Sequence, residues 1–353
     1  MSPAAALPAG TTVNSGGFEL VNGALAVASS TIVNAGGAEL VFSAGTASNT
    51  VLSGGLEVIE GKATGFTVVG SAIATTIDDG GDQIVFGFAE FTTVNSGTEI
   101  VWSGSKTGLA TINTGGFDFI VGSAIDQTLN GGTEFVVSHG IADETQINGG
   151  GVQVVSSGST AEFGTINAGG TEIVDSGGKD LSTLVGPGGT QFVESGGTAS
   201  GADVKAGGTQ IVEAGGSVIS TSINGGVLEV VSGGSTGTAP VSFTANGGDL
   251  QLDFSQTFSG LIAGFASPAA VIEEIDLRDI AFTGATKATF TQNGASGTLT
   301  VTDGTHTANL TLLGLYSTAN FSLSNDGHGG TFITDPPSLV GSAASPVLAA
   351  QHT

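Results

Sequence analysis

Carboxylates dominate the ionisable side chains of this 353-residue chain: 31 Asp and Glu stand against 6 Lys and Arg and 4 His, a net charge of −25. Paired carboxylates can cleave glycosidic bonds, one as acid and the other as base or nucleophile, so their grouping is the first question. The densest patch is Glu273, Glu274, Asp276 and Asp279 beside Arg278. It reads as a solvated strand or turn rather than as an acid–base pair. The four His (His139, His306, His328, His352) are scattered, and none has metalloprotease spacing. Oxygen ligands for calcium abound, yet the GGxGxDxUx nonapeptide of calcium-binding β-rolls is absent. Asp326, in the run Asp326-Gly-His-Gly-Gly-Thr331, and Asp335 are weak calcium candidates in what reads first as a Gly-rich turn. Without Cys the chain is no disulfide scaffold, zinc ribbon or thiol enzyme. Six basic residues make no nucleic-acid footprint. No catalytic residue and no cofactor site is expected.

The remaining acids are spaced rather than clustered. Residues 169–178 read GGTEIVDSGG, residues 188–197 GGTQFVESGG and residues 207–216 GGTQIVEAGG. The unit is Gly-Gly, a variable residue, Glu or Gln, two apolar residues and a second Gly-rich turn. Its anchors are Glu19, Glu39, Glu57, Gln83, Glu99, Asp118, Glu134, Gln153, Glu172, Gln191, Gln210 and Glu229. The last six stand 19 residues apart, and the 26-residue step from Glu57 to Gln83 marks an insertion around Lys62 to Thr75. A Thr precedes most anchors by six to eight residues, as at Thr12, Thr111 and Thr165. Asn or Asp precedes seven of them by five, at Asn14, Asn34, Asp78, Asn113, Asn148, Asn167 and Asn224. The anchor column is expected to point outward, because buried Glu is costly; pointing inward, it could form a hydrogen-bonded ladder. The Asn column reads as a turn column, with an Asn ladder as the sharper alternative. One wandering Thr per repeat argues against an ice-binding array.

The elements that carry these residues are short. Val, Ile and Thr favour strands, and Gly and Asn supply the turns. A strand of about four residues cannot stand alone, so repeats of this size must stack. The pattern predicts an all-β chain, a parallel β-helix of about twelve 19-residue coils with a β-rich C-terminal cap, in preference to a meander of hairpins. Val174 and Val193 are assigned to the core. The expected organisation is a flexible N-terminus (1–10), the solenoid (11–238), a capping and secretion-associated domain (239–336) and a flexible tail (337–353). Phe243, Phe254, Phe258, Phe265, Phe282, Phe290, Tyr316, Phe321 and Phe332 lie in the cap, where the alternation of Thr298–Thr302 and Ala308–Leu312 marks strands.

The repeat GG-x-[E/Q]-Φ-V-x-x-GG, with a Thr-Φ-Asn strand between copies, resembles the strand-loop-strand repeat of AIDA-type autotransporter passengers, Gram-negative adhesins. The likeness covers residues 11 to about 236. Phe258 to Phe265, Glu274 to Leu277, Gly297 to Thr307 and Asp326 to Thr331 resemble a C-terminal module of secreted alphaproteobacterial repeat proteins. The resemblance implies a secreted or cell-surface, non-enzymatic role in adhesion, self-association or biofilm. The implied partners are other cell surfaces, glycans or copies of the chain, a glycosyltransferase (a heptosyltransferase in the family) acting on Ser and Thr, and a secretion apparatus. The start MSPAAALPAG lacks the features of a Sec signal, and neither a membrane-spanning segment nor a membrane barrel is evident. A type I export route, or a fragment of a larger parent, is therefore expected. The alternatives are a β-helical carbohydrate-active enzyme, a polysaccharide lyase or hydrolase, and a surface-layer-like structural protein.

Overall fold

The computed structural model describes residues 9–23, 26–60, 70–266 and 272–335. Within them the chain winds into a triangular parallel β-solenoid. Each complete coil contributes three strands of two to four residues, one to each of three sheets. Sheet 1 begins with Thr12–Val13, sheet 2 with Phe18–Val21 and sheet 3 with Val27–Ser29. Every coil pairs in parallel with the next, in register: Thr171–Val174 lies on Thr190–Val193, and that strand on Thr209–Val212.

The Gly-Gly pairs divide two tasks. In residues 196–197, Gly196 adopts φ +84°, which L side chains rarely take. Gly197 sits so close to the coil below that a Cβ there would collide with the carbonyl oxygen of Val174. The turns themselves stack, Gly177 N–H donating to Gly196 O and Gly196 N–H to Gly215 O, both at 2.9 Å.

The interior is lined by one column per strand position. Sheet 1 contributes large aliphatics such as Ile112, Leu129, Ile147 and Ile166; sheet 2 the Val column, including Val174 and Val193 as expected; sheet 3 mostly Ala. Small residues on the third side let a coil of about 19 residues close into a triangle.

Sheet 3 has 11 strands and ends at Ser217–Ile219. Sheets 1 and 2 go further. Val241–Phe243 and Leu261–Ala263 extend sheet 1 in parallel, and Gly248–Leu252 and Glu273–Leu277 extend sheet 2. The loss of the 19-residue register near 238 is therefore a loss of the third strand and its Gly-Gly turns, not the end of the rod. The closing elements come later. The antiparallel strands Lys287–Asn293, Ser296–Thr302 and Thr307–Leu313 add to Leu261–Ala263. The hairpin Ser322–Asn325 and Thr331–Thr334 adds to Glu273–Leu277. Phe243, Phe265, Phe290, Tyr316 and Phe321 pack together between them. Among the described residues the helical elements are two 3-10 turns, and no helix is long and apolar enough to cross a membrane. The flexible ends expected for residues 1–10 and 337–353 lie outside the described residues, Ala9 and Gly10 excepted. So does most of the insertion; Ser71–Ile73 and Thr75 are regular parts of their coil.

Candidate functional site

The anchor column runs through the interior. Glu39, Glu57, Gln83, Glu99, Asp118, Glu134, Gln153, Glu172, Gln191 and Gln210 are fully buried, and Glu19 nearly so. This overturns the outward expectation. In a strand, residues two apart share a face. An anchor two residues before a core Val, as Glu172 stands before Val174, must therefore face the core too; that parity was the signal in the sequence. The twelfth anchor is also corrected: Leu228, not Glu229, pairs with Gln210, and Glu229 points outward.

Burial is offset in part by hydrogen bonds within and between coils, although several carboxyl oxygens of the column, such as Glu57 Oε1 and Glu134 Oε2, have no partner. Thr31, Thr50 and Thr75, at the corner between sheets 3 and 1, donate to Glu19, Glu39 and Glu57 at 2.8, 2.9 and 3.0 Å. Gln83 Nε2 donates to Glu57 at 2.7 Å and Gln153 Nε2 to Glu134 at 2.6 Å. Gln191 Nε2 donates to both Glu172 and Asp180 at 2.7 Å. The polar column splits the apolar interior of the first seven coils, with the Val and Ala columns on one side and sheet 1's aliphatics on the other. Burial pushes the carboxyls up, Glu39 to about 8, Glu57, Glu99 and Glu134 to about 7 and Asp180 to about 6, with Asp118 and Glu172 well above the usual range. Burial thus favours the protonated form of these acids and puts them beyond the reach of a solvent-borne substrate.

The outer surfaces are the exposed chemistry. Sheet 1 presents Thr and Asn. Thr76, Thr93, Thr111 and Thr128 follow one another in register. Beside them the amides form the ladder that was the sharper alternative: Asn34 donates to Asn14, Asn113 to Asn95 and Asn167 to Asn148, at 2.8, 2.7 and 2.9 Å. Sheet 2 reverses the usual arrangement. With its acids inside, it turns Leu40, Ile100, Phe119, Phe135, Ile173, Phe192 and Ile211 outward. Phe119 stacks on Phe135 with centroids 5.0 Å apart, and two residues further along the strand direction Phe86 stacks on Trp102 at 5.8 Å. This apolar face was not anticipated, although the two apolar residues after each anchor encode it.

The C-terminal acids have structural partners. Arg278 pairs with Glu229, with Asp253 at 2.9 Å and with Asp276 at 3.5 Å. Asp279 accepts from Ser255 N–H at 3.0 Å. Glu273 is buried and Glu274 half-buried within the last parallel strand. Asp326 accepts the backbone N–H groups of His328 and Gly330 at 2.7 and 2.8 Å, closing the Gly-rich turn. Asp335 is buried at the end of the last strand. Among the described residues no three His, Asp or Glu are grouped to hold a metal ion. His306 meets Asp303 at 3.0 Å.

Residues 128–189 match the family described as "Adhesin of bacterial autotransporter system, probable stalk". No curated protein matches the chain. The crystal structure of the TibC-catalysed, hyper-glycosylated TibA fragment spanning its residues 55–350 superposes with a TM-score of 0.64 at 31% identity, covering 72% of this chain and 91% of that one. A shared coil, a shared repeat and identity at that level over nearly the whole of the TibA fragment have one explanation: the chain belongs to the AIDA-type family of autotransporter adhesin passengers.

Proposed function

We infer that this chain works at the cell surface or outside the cell as a rigid adhesin stalk. The observation that carries this reading is the 31% identity over 91% of the TibA fragment. Weak contacts repeated at every coil of a stiff rod sum by multivalency, so adhesion needs no deep pocket. It needs no catalysis either: the aligned carboxylates are sealed inside the rod, out of a substrate's reach. The TibA fragment is hyper-glycosylated, and this chain offers exposed hydroxyls that could accept sugars. Ser157, Ser176 and Ser195 stand exposed in one line, one per coil, at the corner after sheet 2. A glycosyltransferase working along that corner would coat one edge of the rod. The antiparallel elements at the C-terminal end close the rod, and the coils carry the contacts.

The test is display of the chain on a non-adherent bacterial host, with and without co-expressed TibC. Displaying cells should adhere to epithelial monolayers or to one another more than empty-vector cells, and peptide mapping should place sugar on the Ser157–Ser195 line. Adherence no greater than the empty host's would sink the reading.

A further inference from the structure

We propose that the cleft where sheet 3 stops binds one neutral sugar unit at the end of a glycan. The proposal rests on the adhesin reading above for its purpose, and it names a ligand and a place. The closing strands join sheets 1 and 2, and sheet 3 stops short of them. Eleven coils give sheet 3 a strand, and the twelfth gives only Ser235, bridged to Ser217. In the next layer the chain from Leu252 to Leu261 makes the 3-10 turn Ser255–Thr257 instead of a strand. A cavity of about 180 Å³ lies there, with Ser235 and Thr236 on one side and residues 254 and 257–260 on the other. Val230 and Leu252, both in the buried core, line its inner wall. Asp279 holds the turn, accepting from Ser255 N–H at 3.0 Å and from the Gln256 side-chain amide at 3.2 Å. The cleft is therefore formed before a ligand arrives.

The lining selects the ligand. No charged side chain lines the cavity, so an ion entering it would lose water and gain no counter-charge. Its polar side chains are the hydroxyls of Ser235, Thr236, Thr257 and Ser259, which can both donate and accept, as the hydroxyls of a sugar do. Thr236 is buried and its Oγ1 has no partner. That oxygen stands where a Cβ on residue 260 would have to be, so Gly260 leaves room for it. A buried hydroxyl without a partner is costly, and a ligand hydroxyl at that end is the partner it lacks. Two rings complete the site. Phe254 is 41% exposed and Phe258 half-buried, and among the described residues neither stacks on another ring. An open phenyl face is negative and attracts the C–H face of a sugar ring. The volume equals about six waters at about 30 Å³ each, room for one ring and not for a chain of them. The occupant is thus a terminal unit.

The whole chain, labelled with nitrogen-15, is titrated with the methyl glycosides of glucose, galactose, mannose and N-acetylglucosamine, and with glucuronic acid as the charged control. At least one neutral glycoside should bind with a dissociation constant of about 1 mM, ordinary for a single ring in a small cleft. It should shift the amide signals of Ser235, Thr236 and residues 258–260, and glucuronic acid should bind at least about fivefold more weakly. Phe254→Ala should weaken binding at least about fivefold, whereas Phe282→Ala, an exposed ring outside the cleft, should leave it unchanged. The wild-type shift map decides the matter even if Phe254→Ala misfolds. No neutral glycoside shifting those amides, shifts confined to another part of the rod, or glucuronic acid bound as tightly each overturns the proposal. If the bound glycoside blocks adherence of displaying cells without TibC, the sugar belongs to the target surface; if it blocks only with TibC, the sugar is carried by neighbouring rods; either result supports the site. Cells that adhere while displaying a chain that binds none of these sugars sink the cleft and leave the adhesin reading intact; a sugar-binding chain that confers no adherence does the reverse.

Discussion

A carboxyl inside a strand-built tube is tolerable only while it is neutral or well bonded, and this chain uses both routes. Four Gln already occupy the anchor column, at Gln83, Gln153, Gln191 and Gln210, so the column accepts an amide without change of shape. The acids among them create a pH dependence. Glu57, Glu99 and Glu134 titrate near 7 and Glu39 near 8 when folded, against an ordinary value of 4.5. Between those values the unfolded chain binds fewer protons than the folded one, so stability falls as pH rises through that window and is greatest below it. The melting temperature should be several degrees higher near pH 5.5 than near pH 8.5. Glu57→Gln and Glu134→Gln should each shrink that difference, and a Tm that rises toward alkaline pH refutes the account. The sequence exposed the column but not its direction. The cost of burying Glu argued outward, while the two-residue alternation ending at Val174 argued inward, and alternation wins because it is fixed by backbone geometry. Proton uptake then removes most of the cost that pointed the other way.

At the scale of the coil, the repeat was legible because each part has one physical job. The Gly-Gly pair makes the corner, the anchor and Val face in, and the apolar residue between them faces out. The glycines can be separated by substitution. Gly196→Ala places a methyl in the left-handed region against the flexible Ser176 side chain and should cost about 1 kcal/mol. Gly197→Ala drives a methyl into the Val174 carbonyl and cannot be relieved without moving a strand, so it should cost more, roughly 2–4 kcal/mol. Denaturant melts of the two variants check the order; equal costs would mean that coil spacing is looser than the register implies. Val193→Asp buries a charge among the Val columns and should be worse than either, with a loss of several kcal/mol. Sequence periodicity misplaced one copy. Glu229 continued the 19-residue count, but the last spacing is 18, Gln210 to Leu228, and a slip of one residue exchanges the inner and outer faces.

Within the described residues the solenoid's sheets would be open templates at their C-terminal end, and we propose that the elements that follow close them. Their strands were legible: the alternation in Ser296–Thr302 and Thr307–Leu313 is observed as alternating burial. The continuation of the solenoid past residue 238 was not, because Val241–Phe243, Gly248–Leu252, Leu261–Ala263 and Glu273–Leu277 keep the strand pairing while dropping the Gly-Gly corners that made earlier coils recognisable. Here the interior changes as well. Leu228, Leu250 and Ile275 replace the acid and amide column, and the two apolar columns merge into one core with the aromatic cap. The capped end is thus an apolar plug on a rod whose remaining coils are partly polar inside. Cutting the chain after residue 238 removes two parallel layers and every closing strand, leaving Ser222–Asn224 and Val227–Val230 as bare edges. Cutting it after residue 335 removes none of these. The shorter chain should form end-to-end multimers, visible as a growing maximum dimension in small-angle scattering. The longer one should keep the dimensions of the full chain. Sheet 2's outer face is present in both, so any contact it makes contributes equally and the difference isolates the end. If the chain ending at 238 stays as compact and soluble as the one ending at 335, the closing role assigned to residues 239–335 is wrong.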